Sequence, residues 1–281
     1  MKGEGILYIC PTPIGNLEDI TLRTLRVLGE ADLIAAEDTR RTIKLLNHYD
    51  IRTPLTSYHE HNKRKKEDYL LKLLEEGKKI ALVSDAGTPG ISDPGFELIK
   101  ACIEAGGEVV SLPGATAIIT ALVASGLAAD RFFFQGFLPK NPGQRKRSLE
   151  ELEDQPGTIV LYVPPHGLAN ILKDCMKILG NRKAVLAREL TKKYEEFIRG
   201  NLEELVNWAI NNEVRGEYVL MLQGAAGSRK ERDKPWQQMS IREHLLWNME
   251  KGLMKKEAIA LTAQERNIPK KLVYAESIEK K

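Results

Sequence analysis

Short apolar runs alternate with amphipathic stretches along the first half of the chain. That rhythm predicts strands and helices in turn. Residues 6–10, 33–36, 79–84 and 108–112 read as strands, the third being the apolar run KIALVS. Residues 21–29, 41–47, 66–76 and 95–105 read as helices. Asp19 is placed to cap the first of these, while Gly77 and Gly106-Gly107 stand where the last two should close. Near-continuous apolar strands joined by helices point to an α/β sheet, largely parallel. A second α/β series follows, with strands expected at 132–136, 158–163, 184–188 and 218–222 and helices at 169–179 and 202–211. Residues 138–144 hold two prolines and a glycine and read as a loop. Past a polar, basic stretch, the pattern is helical again at 241–251, 255–266 and 270–278, and two short helices joined by a tight turn form a candidate helix-turn-helix.

The expected organisation is therefore an N-terminal α/β domain over 1–117, a second α/β domain over 118–225, a linker over 226–235 and a helical domain over 236–281. A cleft should separate the two α/β lobes, and its ligand should sit beyond the carboxyl ends of the strands.

Composition agrees with a folded protein: 42% of the 281 residues are hydrophobic and 29% charged, too apolar for a disordered chain. Cys10, Cys102 and Cys175 are far apart, without any CxxC or Cys/His cluster. Such thiols suit a reducing cytoplasm, and no metal site is expected. The N-terminal run carries an acid and lacks a long apolar core, so no signal peptide is expected. The uncharged stretch 109–129 is broken by Pro113-Gly114 and Gly126 and reads as strand, turn and buried helix, not as a membrane span.

Several post-strand segments could carry chemistry. Residues 11–17 suit a rigid ligand loop and a plain βα turn equally. Glu37-Asp38-Thr39-Arg40 follows the strand at 33–36. Carboxylates there suit a general base, or else Asp38 or Thr39 caps a helix beside a solvated Arg40. Tyr58-His59-Glu60-His61-Asn62 is dense in proton-transfer groups; on a strand His59 and His61 would face one way, with no further metal ligand nearby. Lys63-Arg64-Lys65-Lys66 puts cations at a helix start, against the dipole, which favours phosphate contact. Residues 84–95, SDAGTPGISDPG, form a loop too structured for a spacer and are read as ligand-binding. They are not a phosphate loop, since no GxxxxGK[ST] occurs. Thr116-Ala117 opens an apolar helix, and a basic stretch, 140–147, lies in the second lobe.

Taken together, TPIGNL (12–17), DITLR (19–23), EDTR (37–40), YHEHN (58–62), LVSDAGTPGISDPG (82–95), PGATA (113–117), FQGFLP (134–139) and RELTKKYEE (188–196) resemble the ribosomal RNA small subunit methyltransferase I family of the tetrapyrrole methylase superfamily. The resemblance implies two α/β domains with S-adenosylmethionine in the cleft between them, a small helix-turn-helix-like C-terminal domain and a homodimer. It implies methylation of a ribose 2′-oxygen on a cytidine in the decoding region of 16S ribosomal RNA, with the small ribosomal subunit as the setting of that RNA. Carried over by motif, cofactor contacts are expected from Pro13, Asp85, Ala86, Gly87, Ile91, Ser92, Thr116 and Ala117. In the second lobe they are expected from Tyr162, Glu189, Leu190 and Gly224. One segment departs: Val163 and Gly167 stand where the family has a Glu and an Arg.

Because a 2′-hydroxyl is a poor nucleophile, a base should take its proton, and Asp38 is expected to do so with Glu37 nearby. His61 or Lys192 would orient the ribose. Arg23, Arg40, Lys63, Arg64, Lys140, Arg145 and Arg147 are expected to meet RNA, with Lys255, Lys256, Lys270 and Lys271 doing so in the tail. Two rivals stand beside this reading: methylation of a tetrapyrrole carbon, and a non-catalytic RNA-binding protein that keeps the cofactor site. The formal net charge of +3 hides an asymmetry that favours RNA: residues 226–281 hold 13 Lys+Arg against 8 Asp+Glu, and the rest hold 29 against 31.

Overall fold

The computed structural model describes residues 5–225, 236 and 239–277. The expected linker 226–235 and the end of the last helix lie outside them. The chain divides into two compact units, Met1–Ala225 and Ala226–Lys281.

The first unit holds two five-stranded sheets. Strands β1 (Ile6–Ile9), β2 (Leu33–Ala36), β3 (Leu55–Ser57), β4 (Lys79–Val83) and β5 (Glu108–Ser111) form one sheet in the order β3-β2-β4-β1-β5. Every pairing in it is parallel. Parallel sheets are covered on both faces, and all four residues of β2 are buried accordingly. Helices α1 (Leu22–Glu30), α2 (Thr39–His48), α3 (Lys63–Glu75) and α4 (Phe96–Glu104) connect the strands. Leu7, Leu70, Leu82 and Leu98 fill one core cluster of this lobe, and Val27, Leu28, Ile34 and Val83 another. Thr21, not Asp19, caps α1, its hydroxyl accepting from the Thr24 N–H; Asp19 lies in a short 3-10 turn, Leu17–Asp19, two residues too early.

The second sheet comprises β6 (Phe132–Phe137), β7 (Thr158–Val163), β8 (Lys183–Arg188), β9 (Glu196–Asn201) and β10 (Tyr218–Leu222), in the order β6-β7-β10-β8-β9. Only β6 and β7 pair in parallel; β10 runs antiparallel to both β7 and β8. Alternation along β10 divides its side chains between two faces. Tyr218, Leu220 and Leu222 join the core under α7 (Leu168–Leu179) and α8 (Leu202–Asn211), while Val219 and Met221 meet Ile118, Ala121 and Leu122 of α5 (Ala117–Ser125). The expected loop at 138–144 contains a helix start instead. In α6 (Pro142–Glu151), Pro142 occupies the first turn, and the Asn141 side chain accepts from the Gly143 and Gln144 N–H groups. A proline needs no backbone partner there, so a breaker in a linear reading is an initiator in the fold. All three cysteines are buried, and burial pushes the thiols of Cys10 and Cys175 up to about 12.

The second unit holds three helices, α9 (Ile241–Glu250), α10 (Lys255–Glu265) and α11 (Lys270–Glu276), around a small core of Leu245, Ala258, Ile259, Ala263 and Val273. His244 is fully buried, stacked on Trp236 with ring centroids 4.6 Å apart. Its Nδ1 accepts from Arg266 Nε at 3.0 Å and its Nε2 lies 2.8 Å from Glu265 Oε2, which fixes the neutral tautomer with the proton on Nε2. Burial holds the imidazole below its ordinary 6.5, with Arg266 and Lys251 acting in the same direction and Glu265 opposing them. The unfolded chain therefore binds a proton that the folded unit refuses, and stability falls as pH drops below 6.5. Helical content of this unit, followed by thermal melts, should fall from pH 7 to pH 5, and a flat profile would contradict the assignment. Among the described residues, no helix is long and apolar enough to cross a membrane.

Candidate active site

The loops beyond the carboxyl ends of β1, β2, β4 and β5 are tied into one rim. Thr12 and Gly87 exchange two backbone hydrogen bonds of 2.9 Å, and the Thr12 hydroxyl donates to the Ser84 carbonyl at 3.1 Å. Gly87 sits at φ +81°, a left-handed conformation that favours glycine. The Thr88 hydroxyl donates to the Ala115 carbonyl at 3.2 Å. The ends of β2 and β4 clasp each other: the Asp85 N–H donates to Glu37 Oε2 at 3.2 Å, and the Asp38 N–H to Asp85 Oδ1 at 3.0 Å. Arg41 completes this clasp 3.2 Å from Asp85 Oδ2.

Facing this rim is the Glu189–Leu190–Thr191 turn of the second lobe. Glu189 and Thr191 both adopt positive φ, +48° and +65°. Glu189 Oε1 accepts from the Glu217 N–H at 2.9 Å and from Lys192 at 3.1 Å, and Lys192 also reaches Glu217 at 2.7 Å. Left-handed conformations of this kind cost energy and persist where surrounding structure over-determines them. Here a β-carbon at Gly216 would lie 2.6 Å from the Glu189 carboxylate, so glycine keeps that seat open.

Between rim and turn lies a cavity of about 470 Å³, within the range of small-molecule sites. Ile14, Ala117, Ala187, Leu190 and Val219 give it apolar wall; Glu37, Asp85, Asp93 and Glu217 give it carboxylates; Thr88, Ser92 and Thr116 give it hydroxyls. This donor set suits a mid-sized ligand with a flat apolar portion and positive charge. A second recess of about 500 Å³ adjoins it, lined by His59, His61, Phe96 and Glu97, and shares Glu37, Ile91, Ser92 and Asp93 with the first.

Of the expected cofactor residues, Asp85, Ala86, Gly87, Ile91, Ser92, Thr116, Ala117, Tyr162 and Leu190 line the first cavity. Pro13 lines a smaller neighbouring pocket, and Glu189 stands behind Leu190 as its buttress. Gly224 is at a close backbone crossing, where a β-carbon would lie 2.6 Å from the Gly157 carbonyl oxygen. Val163 lines the cavity and also belongs to the core, and Gly167 precedes α7 at φ +100°. Tyr162 faces the cavity as a neutral phenol, pushed up to about 12 by burial and by Asp93.

Asp38 differs from its expected role. Both its oxygens chelate the Arg40 guanidinium, at 3.0 and 2.7 Å, and it caps α2. The Arg40 side chain and backbone N–H hold its carboxyl at about 2. It lines neither cavity, whereas Glu37 lines both. His59 and His61 sit past the end of β3 in a turn, not on a strand, with ring centroids 6.0 Å apart, and both still face the outer recess. Lys192 is held between Glu189 and Glu217. Lys63 pairs with Glu60 and Glu97, Arg145 with Asp174, and Lys255 donates to the Ser277 carbonyl. Arg23, Lys140, Arg147, Lys256, Lys270 and Lys271 are exposed, and the Arg64 side chain lies outside the described set.

Linear reading missed Asp93, Arg41, Ala187 and the Glu217–Val219 segment. Asp93 lies inside the loop that was singled out. Glu217–Val219 lies at the start of a strand, not after one, but β10 runs antiparallel, so its amino end falls beside the carboxyl ends of β7 and β8, with Tyr218 paired to both Val163 and Arg188.

Residues 6–206 match the family model for tetrapyrrole (corrin/porphyrin) methylases. Among solved structures, uroporphyrin-III-C-methyltransferase from Thermus thermophilus superposes with a TM-score of 0.56 at 20% identity, over 78% of this chain and 97% of that one; it was solved with S-adenosylhomocysteine. Cobalt precorrin-4 methyltransferase superposes with a TM-score of 0.58 at 17% identity, over 78% and 95% of the two chains. Ribosomal RNA small subunit methyltransferase I of Bacillus subtilis is 49% identical over 96% of this chain and 93% of its own length. The enzyme of that name from Escherichia coli O157:H7 is 46% identical over 99% and 96%. A methylase fold whose sequence stays this close to these relatives, through both lobes and into the C-terminal helices, belongs to the ribosomal RNA small subunit methyltransferase I family.

Proposed function

We propose that this chain methylates the ribose 2′-oxygen of a cytidine in the decoding region of 16S ribosomal RNA, using S-adenosylmethionine. The observation that carries the reading is the carboxylate-bearing, apolar-walled cavity, joined to an open outer recess, in a member of this family. The donor set fits the cofactor. Asp85 and the Ala86–Gly87 loop suit its polar, cationic part, while Ile14, Leu190 and Val219 suit a purine. When bound, it supplies an electrophilic methyl group on a sulfonium. Thr116 and Ala117 offer free N–H groups at the start of α5 to a ligand carboxylate.

Exposed Arg23, Lys140, Arg147, Lys256, Lys270 and Lys271 are the cations best placed for phosphates, because Arg40, Lys63, Arg145 and Lys255 already have partners. A small-subunit substrate and a cytoplasmic setting accompany this reading. Homodimerisation is supported by α5, which leaves Ile119 and Val123 exposed, at 44% and 70%.

Labelled S-adenosylmethionine offered with small ribosomal subunits or with uroporphyrinogen tests the function. Ribose label in 16S RNA is the expected result. Label in the tetrapyrrole, or cofactor binding with transfer to neither, would replace this reading with one of its rivals. Removing residues 236–281 should cut transfer to subunits at least tenfold while cofactor affinity holds. Undiminished transfer would make the helical unit a structural appendage.

A further inference from the structure

We propose that Asp93 accepts the proton of the hydroxyl being methylated, with the target nucleoside entering through the outer recess lined by His59, His61 and Phe96. The inference rests on the methyl-transfer reading above and deepens it. Two cavities meet at this residue: the cofactor-sized one and the outer recess share Glu37, Ile91, Ser92 and Asp93 as their common wall. A base that serves a reaction between an occupant of one cavity and an occupant of the other belongs on that wall.

The remaining carboxylates are committed elsewhere. Glu37 Oε2 accepts from the Asp85 N–H, and Asp85 is held by the Asp38 N–H and Arg41. Glu217 pairs with Lys192, and Asp38 chelates Arg40 outside both cavities. Asp93 makes no ion pair among the described residues. Burial, with Glu37 and Asp85 as like-charged neighbours and the Ser84 hydroxyl as an opposing hydrogen-bond donor, pushes its carboxyl up to about 6. Tyr162 faces it from β7, and His59, Glu60, His61 and Glu97 line the recess beyond. A general base works best when its pKa lies near the operating pH; a carboxylate held near 2, as Asp38 is, is ionised but a far weaker acceptor.

The recess suits a nucleoside. Phe96 is 63% exposed and offers a face for base stacking. His59 and His61 line the same recess with imidazole rings that can exchange hydrogen bonds with a nucleoside. In the step itself, the hydroxyl oxygen gains the methyl group as the sulfur–methyl bond breaks. Its proton passes to a carboxylate oxygen of Asp93, so the positive and negative charges are lost together.

The full-length wild type, Asp93→Asn and Asp38→Asn are compared on small subunits from pH 5 to pH 8, with cofactor affinity measured calorimetrically. The wild-type kcat should rise up to about pH 6 and then level. Asp93→Asn should lower kcat at least a hundredfold, keep cofactor affinity within threefold, and show a residual rate without the acid limb. In carbon-13 aspartate spectra of the unliganded protein, one carboxyl should titrate near 6 and be absent from Asp93→Asn. Wild-type turnover by Asp93→Asn, a larger loss in Asp38→Asn that also removes the acid limb, or no aspartate titrating above pH 5 would overturn the assignment. Absence of ribose label from the wild type would instead overturn the function reading, and the spectra still decide the titration of Asp93.

Discussion

Gly15→Val should weaken cofactor binding at least tenfold and cut methyl transfer further, with little loss of secondary structure. Gly15 lies in the loop after β1, directly against the second-lobe turn. A β-carbon there would fall 2.7 Å from Thr191 Oγ1 and 3.0 Å from the Leu190 carbonyl oxygen. A flexible side chain could swing aside, but a backbone carbonyl moves only with its turn. That turn is already strained at Glu189 and Thr191, pinned by the Glu217 N–H, Lys192 and Glu195. On the other side, the loop bearing Gly15 is fixed through Thr12 to Gly87. Overpacking between two such fixed elements typically costs about 1–3 kcal/mol. The strain is relieved by parting the lobes or displacing Leu190, and both reshape the cavity. If about 1.4 kcal/mol of that cost falls on binding, affinity drops tenfold. Titration calorimetry with S-adenosylmethionine reads the effect, with Gly15→Ala expected in between. A valine variant that binds within threefold of wild type would show that the lobes do not need this close approach.

The strands legible in the sequence were those buried on both faces. LIAA, KIALV, TIVLYV and YVLML are near-continuous apolar runs because helices cover both sides of each sheet. The elements that escaped lack that signal. β3 has only three residues at a sheet edge, and β9 (EFIRGN) is an edge strand whose pairing with β8 comes from antiparallel return of the chain, not from apolar content. α6 was hidden because Pro142 and Gly143 mark a loop unless Asn141 is known to cap them.

The site divides along similar lines. Loops rich in glycine, proline and aspartate announce ligand binding from composition alone, and the loop over 84–95 does line the cavity. What composition cannot rank is one carboxylate against another. Asp38 and Asp93 look alike in sequence, each lying between an apolar strand and the helix that follows it. Their chemistry separates only through surroundings: a guanidinium two residues away chelates one, and burial with like-charged neighbours raises the other. Sequence motifs located the cavity, and tertiary contacts distinguish the carboxylates around it.

Arg266→Ala should unfold the C-terminal unit while leaving cofactor binding intact. Arg266 Nη2 donates to the backbone carbonyls of Trp236, Met239 and Ser240, and its Nε donates to His244 Nδ1. The guanidinium also lies 5.6 Å from the Trp236 ring centroid, beside the stacked His244. One side chain thus closes the start of α9 and fixes the tautomer of a fully buried imidazole. Hydrogen bonds from a charged donor are each worth about 1.5–3 kcal/mol, and removing the donor leaves buried acceptors unpaired. Against that loss stands a core centred, among the described residues, on five buried apolar side chains, and cores of such small units rarely supply more than about 3–5 kcal/mol. The loss therefore matches the whole stability of the unit. The expected result is loss of the helical circular dichroism of α9–α11, cofactor affinity within twofold of wild type, and transfer to small subunits reduced as far as in the 236–281 deletion. Arg266→Lys keeps the charge but cannot span three carbonyls and an imidazole, so it should rescue little. Retained helicity in Arg266→Ala would place the unit's stability in its apolar core. Retained transfer after full unfolding would separate the helices from RNA delivery altogether.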